Sequence, residues 1–314
     1  MKLLFKETRF VIRRFNVPAA LAAFALAATL APTLRAQTNP SAPTTPITPP
    51  VRTLGHVDKE DIPKEEKKAQ PKLNQANAVP TGEQVAETVL LVTVATREVQ
   101  KQIRRNGVER GSITRATSDG HTEEIKYEQR FVRGETAAKD KIRLDQKTPA
   151  NEFALIYNEG QVWGIINGTG FTPREETAAD FLARTQHGVD ALLRYKENGS
   201  TVTFVSKEKQ KNIDLWLVDL IDKDKHTTRY YVSAHTWNVL ALEYEETPPG
   251  ADKPVKYRRT FHDYRRVQGT AVPFRTVLYA NDKQVEETNV LTVTYGIRMD
   301  DSYFQNPQTA ANGN

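Results

Sequence analysis

The apolar positions of this chain change rhythm as it runs. Thr81-Gly82-Glu83-Gln84 has the form of a capping box, in which the Thr hydroxyl and the Gln side chain satisfy free backbone amides. Val85, Val89, Leu90, Val92 and Val99 follow, and the pattern predicts a helix to about Arg105, although the β-branched run 89–94 also suits a strand. The rhythm then shortens to two. Strands are predicted at 111–117, 123–133, 141–145, 152–158 and 161–166, with turns at Asp119-Gly120, Arg133-Gly134-Glu135 and Asn158-Glu159-Gly160. Ile125, Tyr127, Gln129 and Phe131 alternate with Glu124, Lys126, Glu128 and Arg130, so one face of that strand is wet.

A second helix is signalled by Thr172-Pro173-Arg174-Glu175, with Thr as N-cap and Pro at the first helical position. Its stripe is Ala178, Phe181, Leu182, Thr185, Val189, Leu192 and Leu193, and Asn198-Gly199 stops it. Such a stripe plugs or lids a sheet. A long meander follows at 201–206, 213–221, 227–233, 239–245, 256–266, 273–280 and 286–295, with a tight hairpin at Asn281-Asp282-Lys283. The stretch 213–220 is apolar on both faces and reads as a central strand covered on both sides. The result is an α+β protein dominated by an antiparallel sheet of about 11 strands.

Composition changes the picture at the N-terminus. Lys2, Lys6, Arg9, Arg13 and Arg14 precede an apolar, Ala-rich stretch from Val17 to Ala31, and Ala36 offers a cleavage point. Residues 1–36 thus read as a signal peptide, with a hint of a twin-arginine signal at Arg13-Arg14-Phe15. With Arg35, this leader holds six basic residues against Glu7 alone, so it accounts for the whole formal charge of +5 and leaves a neutral mature chain. The basic balance is therefore no argument for nucleic acid. Residues 37–80 hold eight of the 17 prolines and no aromatic residue, which reads as a disordered spacer or a tether for an envelope partner. The folded domain is expected over 81–307, with a disordered tail at 308–314. No cysteine is present, which excludes disulfides, thiol nucleophiles and Cys-based zinc sites.

Candidate chemistry is sparse. The histidines 56, 121, 187, 226, 235 and 262 show no metal-site spacing, and Asp222-Lys223-Asp224-Lys225-His226 reads as a solvated turn. His262 and Asp263 are adjacent in a strand and point to opposite faces. Asp300-Asp301-Ser302 reads as a cap or turn. There is no Gly-x-Ser-x-Gly elbow, phosphate loop or dinucleotide fingerprint. A hydrolase would need a polar cluster converging in a cavity, and the sequence displays none.

Phe261 to Phe274 fits aromatic-x-Asp-Tyr-Arg-x-Val-x-Gly-x-x-Val-Pro-Phe, and Asp300-Asp301-Ser302-Tyr303-Phe304 follows near the end. In these motifs and in element order over 81–307 the chain resembles the LolA-like superfamily, which includes periplasmic lipoprotein carriers and related envelope-stress sensors. The resemblance implies a strongly curved antiparallel sheet, an unclosed β-barrel, with helices covering its concave face and an apolar cavity that holds lipid or lipoprotein acyl chains. The Pro-rich leader and the region 252–257 depart from the carriers, and no single position matches their cavity-lid arginine. A periplasmic, non-enzymatic binding protein without cofactor or metal is expected. A signalling or protein-interaction module on the same fold is the alternative. The aromatics Tyr127, Phe131, Trp163, Phe181, Phe204, Trp216, Tyr231, Phe261 and Phe274 are the candidates for lining the cavity.

Overall fold

The computed structural model describes residues 79–117, 120–149 and 151–306. The expected signal peptide, nearly all of the Pro-rich stretch with His56, Asp119 of the first turn, and the tail lie outside the described residues. Five helices are described: α1 (Gly82–Val94), α2 (Arg97–Ile103), α3 (Glu175–Gln186), α4 (Val189–Leu193) and α5 (Tyr195–Asn198). The strands are β1 (Asn106–Ala116), β2 (Thr122–Val132), β3 (Lys141–Lys147), β4 (Glu152–Asn158), β5 (Gln161–Ile166), β6 (Thr169–Phe171), β7 (Thr201–Gln210), β8 (Ile213–Ile221), β9 (Thr227–Ser233), β10 (Val239–Glu246), β11 (Val255–Val267), β12 (Thr270–Ala280) and β13 (Lys283–Tyr295).

All 13 strands join one sheet in the order β6-β5-β4-β3-β2-β1-β13-β12-β11-β10-β9-β8-β7, every pair antiparallel. Two meanders thus meet where β1 pairs with β13, and the edges are β6 and β7. The chain leaves one edge at Phe171, runs through α3–α5, and re-enters at the other edge at Thr201. This is the expected α+β architecture, a curved and unclosed antiparallel sheet whose two free edges are connected through helices.

The local chemistry explains most boundaries. Thr81 caps α1 with the full capping box, Thr81 Oγ1 accepting from the Gln84 amide at 3.2 Å and Gln84 Oε1 from the Thr81 amide at 2.8 Å. The predicted helix to Arg105 is instead two helices, because Ala95 takes a φ of 70° and Thr96 opens α2 as a fresh N-cap. The second predicted helix is broken further. Thr172 and Pro173 precede it, Arg174 is its N-cap, and it divides at His187-Gly188 and at Arg194. The side chains at both breaks are held by distant residues: His187 by Thr228 and Glu246, Arg194 by Asp140. Those bonds override helical periodicity. The hairpin at Asn281-Asp282 forms as expected, both residues having positive φ as a type I′ turn requires.

Two further expectations change. There are 13 strands rather than about 11; the twelve segments named from the sequence account for all but β6, whose three residues are too few to show a period. The strand over 213–220 is next to the edge strand β7, not central. Its two faces are both covered nonetheless: Trp216, Val218 and Leu220 face α1, while Leu215 and Leu217 meet Tyr231 and Ala241 on the other side.

One face of the sheet carries two cores. Over β7–β11, Val85, Val89 and Leu90 of α1 and Leu192 and Leu193 of α4 pack on Val218, Tyr230 and Leu242, all 0–2% exposed. Over β1–β4, β12 and β13, Phe181 of α3 packs on Ile113, Tyr127, Phe131, Ile142 and Val290. The other face is covered locally, as where Phe304 from the final 3-10 turn packs on Ile156 and Trp163.

Candidate functional site

The second core is not solid. Two adjoining cavities of about 210 Å³ and about 140 Å³ lie there, sharing Glu109, Gln129, Arg184, Arg259, Thr276 and Thr288. Phe131, Phe181, Phe261, Val272, Val290 and Val293 give the larger one apolar walls. Outside it, between α2, the Gly134 loop and α4–α5, lies a basic hollow of about 470 Å³ bordered by Lys101, Arg104, Arg105, Arg133 and Arg194. Arg104, Arg133 and Asp190 border both this hollow and the larger cavity, so they form its polar threshold.

Strand parity places these groups. Ile125, Tyr127, Gln129 and Phe131 share the inward face of β2, and their partners Ile113, Gly111, Glu109 and Gly107 share that of β1. Gly111 is required there. A Cβ on it would come within 2.2 Å of the Asn289 carbonyl and 2.9 Å of the Tyr127 ring. The close approach leaves Tyr127 free to donate its hydroxyl hydrogen to Glu109 Oε1 at 2.7 Å. On β11, Arg259 follows Tyr257 and precedes Phe261 in the same inward row.

The threshold is a network of ion pairs. Asp140 is fully buried. It accepts from the Gly134 amide at 2.8 Å, from Arg133 at 2.9 Å, and from Arg194 at 2.7 and 3.1 Å. Gly134 must be glycine for this, since a Cβ would lie 2.4 Å from the Lys139 carbonyl. Asp190 accepts from Arg104 at 2.8 Å and also pairs with Arg133. Burial opposes charge on Asp190, but Arg104, Arg133 and Arg194 outweigh it and hold the carboxyl down at about 2. Glu286 is governed likewise: burial opposes its charge, and Arg184 and Arg115 hold it at about 2. Glu109 goes the other way, because burial raises its pKa more than Tyr127 and Arg104 lower it. Burial also lowers the pKa of Arg259, whose one hydrogen bond among the described residues runs to the His187 carbonyl at 3.2 Å.

Of the aromatic candidates, Phe131, Phe181 and Phe261 border the larger cavity and Tyr127 the smaller. Phe274 joins the same core without bordering either. Phe204 and Trp216 pack with Trp237 against the α1 core. Trp163 and Tyr231 point to the opposite face of the sheet, as their cross-strand partners Ile156 and Ala241 show, and border neither of these two cavities; Trp163 instead lines a hollow of about 600 Å³ with Phe304 on that face. The sequence reading also missed a polar cluster that does converge on the cavity: Arg104, Glu109, Arg133, Arg184, Asp190 and Arg259. It is scattered over six elements or their ends, α2, β1, β2, α3, α4 and β11, and no motif marks it. Charged residues at inward-facing parity, such as Glu109 two places from Gly111 and four from Ile113, are the signal that could have found it.

What the cluster can do follows from its pairing. Its carboxylates are engaged by arginines or by Tyr127, and such a set binds and orients charge rather than activating a nucleophile. Thr228 Oγ1, His187 and Glu246 form a hydrogen-bonded chain at 2.7 and 2.9 Å, a connectivity that can activate a hydroxyl. His187 is instead stacked on Tyr244 at 3.8 Å and buried, and none of the three borders the cavities or the basic hollow. His262 and Asp263 make separate contacts, His262 with Thr260 and Asp263 with Arg265. Asp222, Asp224 and His226 cluster in an exposed turn, where Asp222 accepts from the backbone amides of the other two. Asp300 caps the last 3-10 turn through the Ser302 amide at 2.8 Å.

No family model and no curated protein matches the chain. Solved structures do. A LolA superfamily protein from Nitrosomonas europaea matches with a TM-score of 0.50 at 11% sequence identity, over 72% of this chain and 98% of that one. A domain assigned to an outer membrane lipoprotein-sorting protein of Vibrio parahaemolyticus matches with a TM-score of 0.51 at 11% identity, over 70% of this chain and 97% of that one. A DUF1329 family protein from Desulfovibrio piger matches with a TM-score of 0.50 at 11% identity, over 71% of this chain and 95% of that one. Together with the curved, unclosed antiparallel sheet and its helices, these likenesses establish that the chain has the LolA-like fold.

Proposed function

We propose that this protein is a non-enzymatic periplasmic binding protein that takes the hydrocarbon part of a lipid or lipoprotein into the cavity beneath α3 and α4. Residues 1–36 direct export, 37–80 act as a spacer, and 81–307 form the binding domain. The observation that supports this best is the cavity of about 210 Å³ walled by Phe131, Phe181, Phe261 and Val290, inside a fold shared with a lipoprotein-sorting domain. Burying a few hundred Å² of hydrocarbon at about 25 cal/mol per Å² contributes several kcal/mol before ordering costs. A cavity of this size holds a short length of chain, since about 150 Å³ suffices for benzene. A longer chain requires α3 and α4 to move outward, and the breaks at His187-Gly188 and Arg194 are the points at which they can do so.

Native mass spectrometry of the mature protein, purified gently from an envelope fraction, tests this directly. Lipid near one equivalent, lost on Phe181→Asp or Val290→Trp, is the expected result. A clean protein mass, with no uptake of added fatty acids, alcohols or lipopeptides, ends the reading.

A further inference from the structure

The charges around the cavity do not balance. Three carboxylates border the two adjoining cavities with Arg259, and each is already engaged. Asp190 is held by Arg104 and Arg133, Glu286 by Arg184 and Arg115, and Glu109 by the Tyr127 hydroxyl. Arg259 borders both cavities, yet no carboxylate pairs with it among the described residues. Its cross-strand neighbours are Leu242 on β10 and Leu278 on β12. A guanidinium carries five N–H donors in a fixed fork, and the His187 carbonyl at 3.2 Å takes one. Gln129, Thr276 and Thr288 supply the uncharged polar groups shared by the two cavity walls.

Arg259 is half-buried, and a guanidinium partly withdrawn from water without a counter-ion is costly to the fold. A leucine or methionine between Leu242 and Leu278 would extend the apolar row instead. We propose that Arg259 is the counter-ion for the ligand, so that the cavity takes acidic amphiphiles, with a carboxylate or phosphate on a hydrocarbon chain, in preference to neutral ones. This rests on the binding function proposed above and specifies its ligand class. The geometry suits it. A planar guanidinium pairs with a carboxylate or phosphate through two parallel hydrogen bonds, and the phenylalanine and valine walls receive the chain. The acid group then sits inside, at the junction of the two cavities, and not in the basic hollow outside.

The mature full chain is titrated at neutral pH with three probes of equal chain length: dodecanoate, dodecyl phosphate and 1-dodecanol. The two acids are expected to bind about tenfold or more tighter than the alcohol, the consequence of completing a half-buried charge pair. In Arg259→Gln and Arg259→Met, with fold checked by circular dichroism, that ratio is expected to fall to within about threefold of one. Equal binding of acid and alcohol by the unaltered protein overturns the proposal without needing a variant. An acid preference that survives both substitutions also overturns it and moves the anion to Arg104, Arg133 and Lys101 outside. Competition by inorganic phosphate as strong as by dodecyl phosphate would show a free-anion site and overturns it too. If none of the three chains binds, the binding function itself fails, and this inference with it.

Discussion

The interior under α1 and the interior under α3 are built on the same face of one sheet, yet they are made differently. Helix α1 buries Val85, Ala86, Val89, Leu90 and Val94 against Val218, Tyr230 and Leu242. The Tyr230 hydroxyl among them donates to the Gly188 carbonyl at 2.9 Å. Helix α3 buries only Phe181 and Ala183, and its Arg184 reaches down to Glu286 at 2.8 Å. Below it the inward rows mix Ile113, Phe131 and Val290 with Glu109, Gln129, Thr276 and Thr288. Close packing at one end gives a rigid support. Long charged side chains at the other hold the helix off the sheet, and the cavity is the space they leave.

The sharpest way to break this contrast is to remove Asp140. Asp140→Ala leaves Arg133 and Arg194 without their shared carboxylate in a buried place and frees the Gly134 amide. Stability is expected to fall by about 3–5 kcal/mol in urea unfolding, with the α3–α5 segment losing hydrogen-exchange protection before α1. A loss shared evenly by α1 and α4 would show that the two halves unfold as one.

Acid should act on the same half. Asp190 and Glu286 have folded pKa values of about 2, below their ordinary values of 3.8 and 4.5. Depressed carboxylates contribute stability that is fully present above the ordinary value and is lost as pH falls toward the folded one. For Glu286, which is 7% exposed, the shift corresponds to about 3 kcal/mol, lost between about pH 4.5 and about pH 2. Urea midpoints at pH 7 and pH 3 measure it, and Glu286→Gln should flatten that slope. An unchanged slope would mean that its arginine pairs contribute nothing net.

Packing gives a smaller, opposite pair of effects. Ala86→Leu adds volume to the filled core and should destabilise by about 1–3 kcal/mol. Val290→Leu adds volume beside the cavity, should cost less than about 1 kcal/mol, and should weaken uptake of dodecanoate. Equal costs at the two positions would mean that the cavity is not available space.

What the sequence disclosed divides along the same line. The α1 capping box, the Phe181, Leu192 and Leu193 stripe and the Asn281-Asp282 turn depend on neighbours within a few residues, and the sequence displays them. The helix breaks at His187 and Arg194 depend on Thr228, Glu246 and Asp140, which are 41, 59 and 54 residues away, so periodicity passes over them. Period-two alternation shows that Trp163 and Tyr231 share a face with particular neighbours. It does not show which face is inward, because that depends on pairing register across the sheet. The charged lining was hidden for a related reason: Glu109, Asp190, Arg259 and Glu286 become neighbours only after both meanders and the helices have come together.

The finest test concerns Glu109. Burial raises its pKa above the ordinary 4.5, with Tyr127 and Arg104 opposing. For an acid raised in the fold, the contribution is present below pH 4.5 and is lost as pH rises toward the folded value, because the unfolded chain ionises first. Glu109→Gln keeps the side-chain shape and an oxygen that can accept from the Tyr127 hydroxyl, and removes the titration. The variant should match the unaltered protein within about 0.5 kcal/mol at pH 4 and be the more stable of the two at pH 8, as urea midpoints will show. The opposite sign at pH 8 would mean that Glu109 is ionised in the fold and serves as an internal counter-charge. The cavity walls would then set three charged carboxylates, Glu109, Asp190 and Glu286, against Arg104, Arg133, Arg184 and Arg259, and the positive excess that separates this half from the core beneath α1 would be smaller by one.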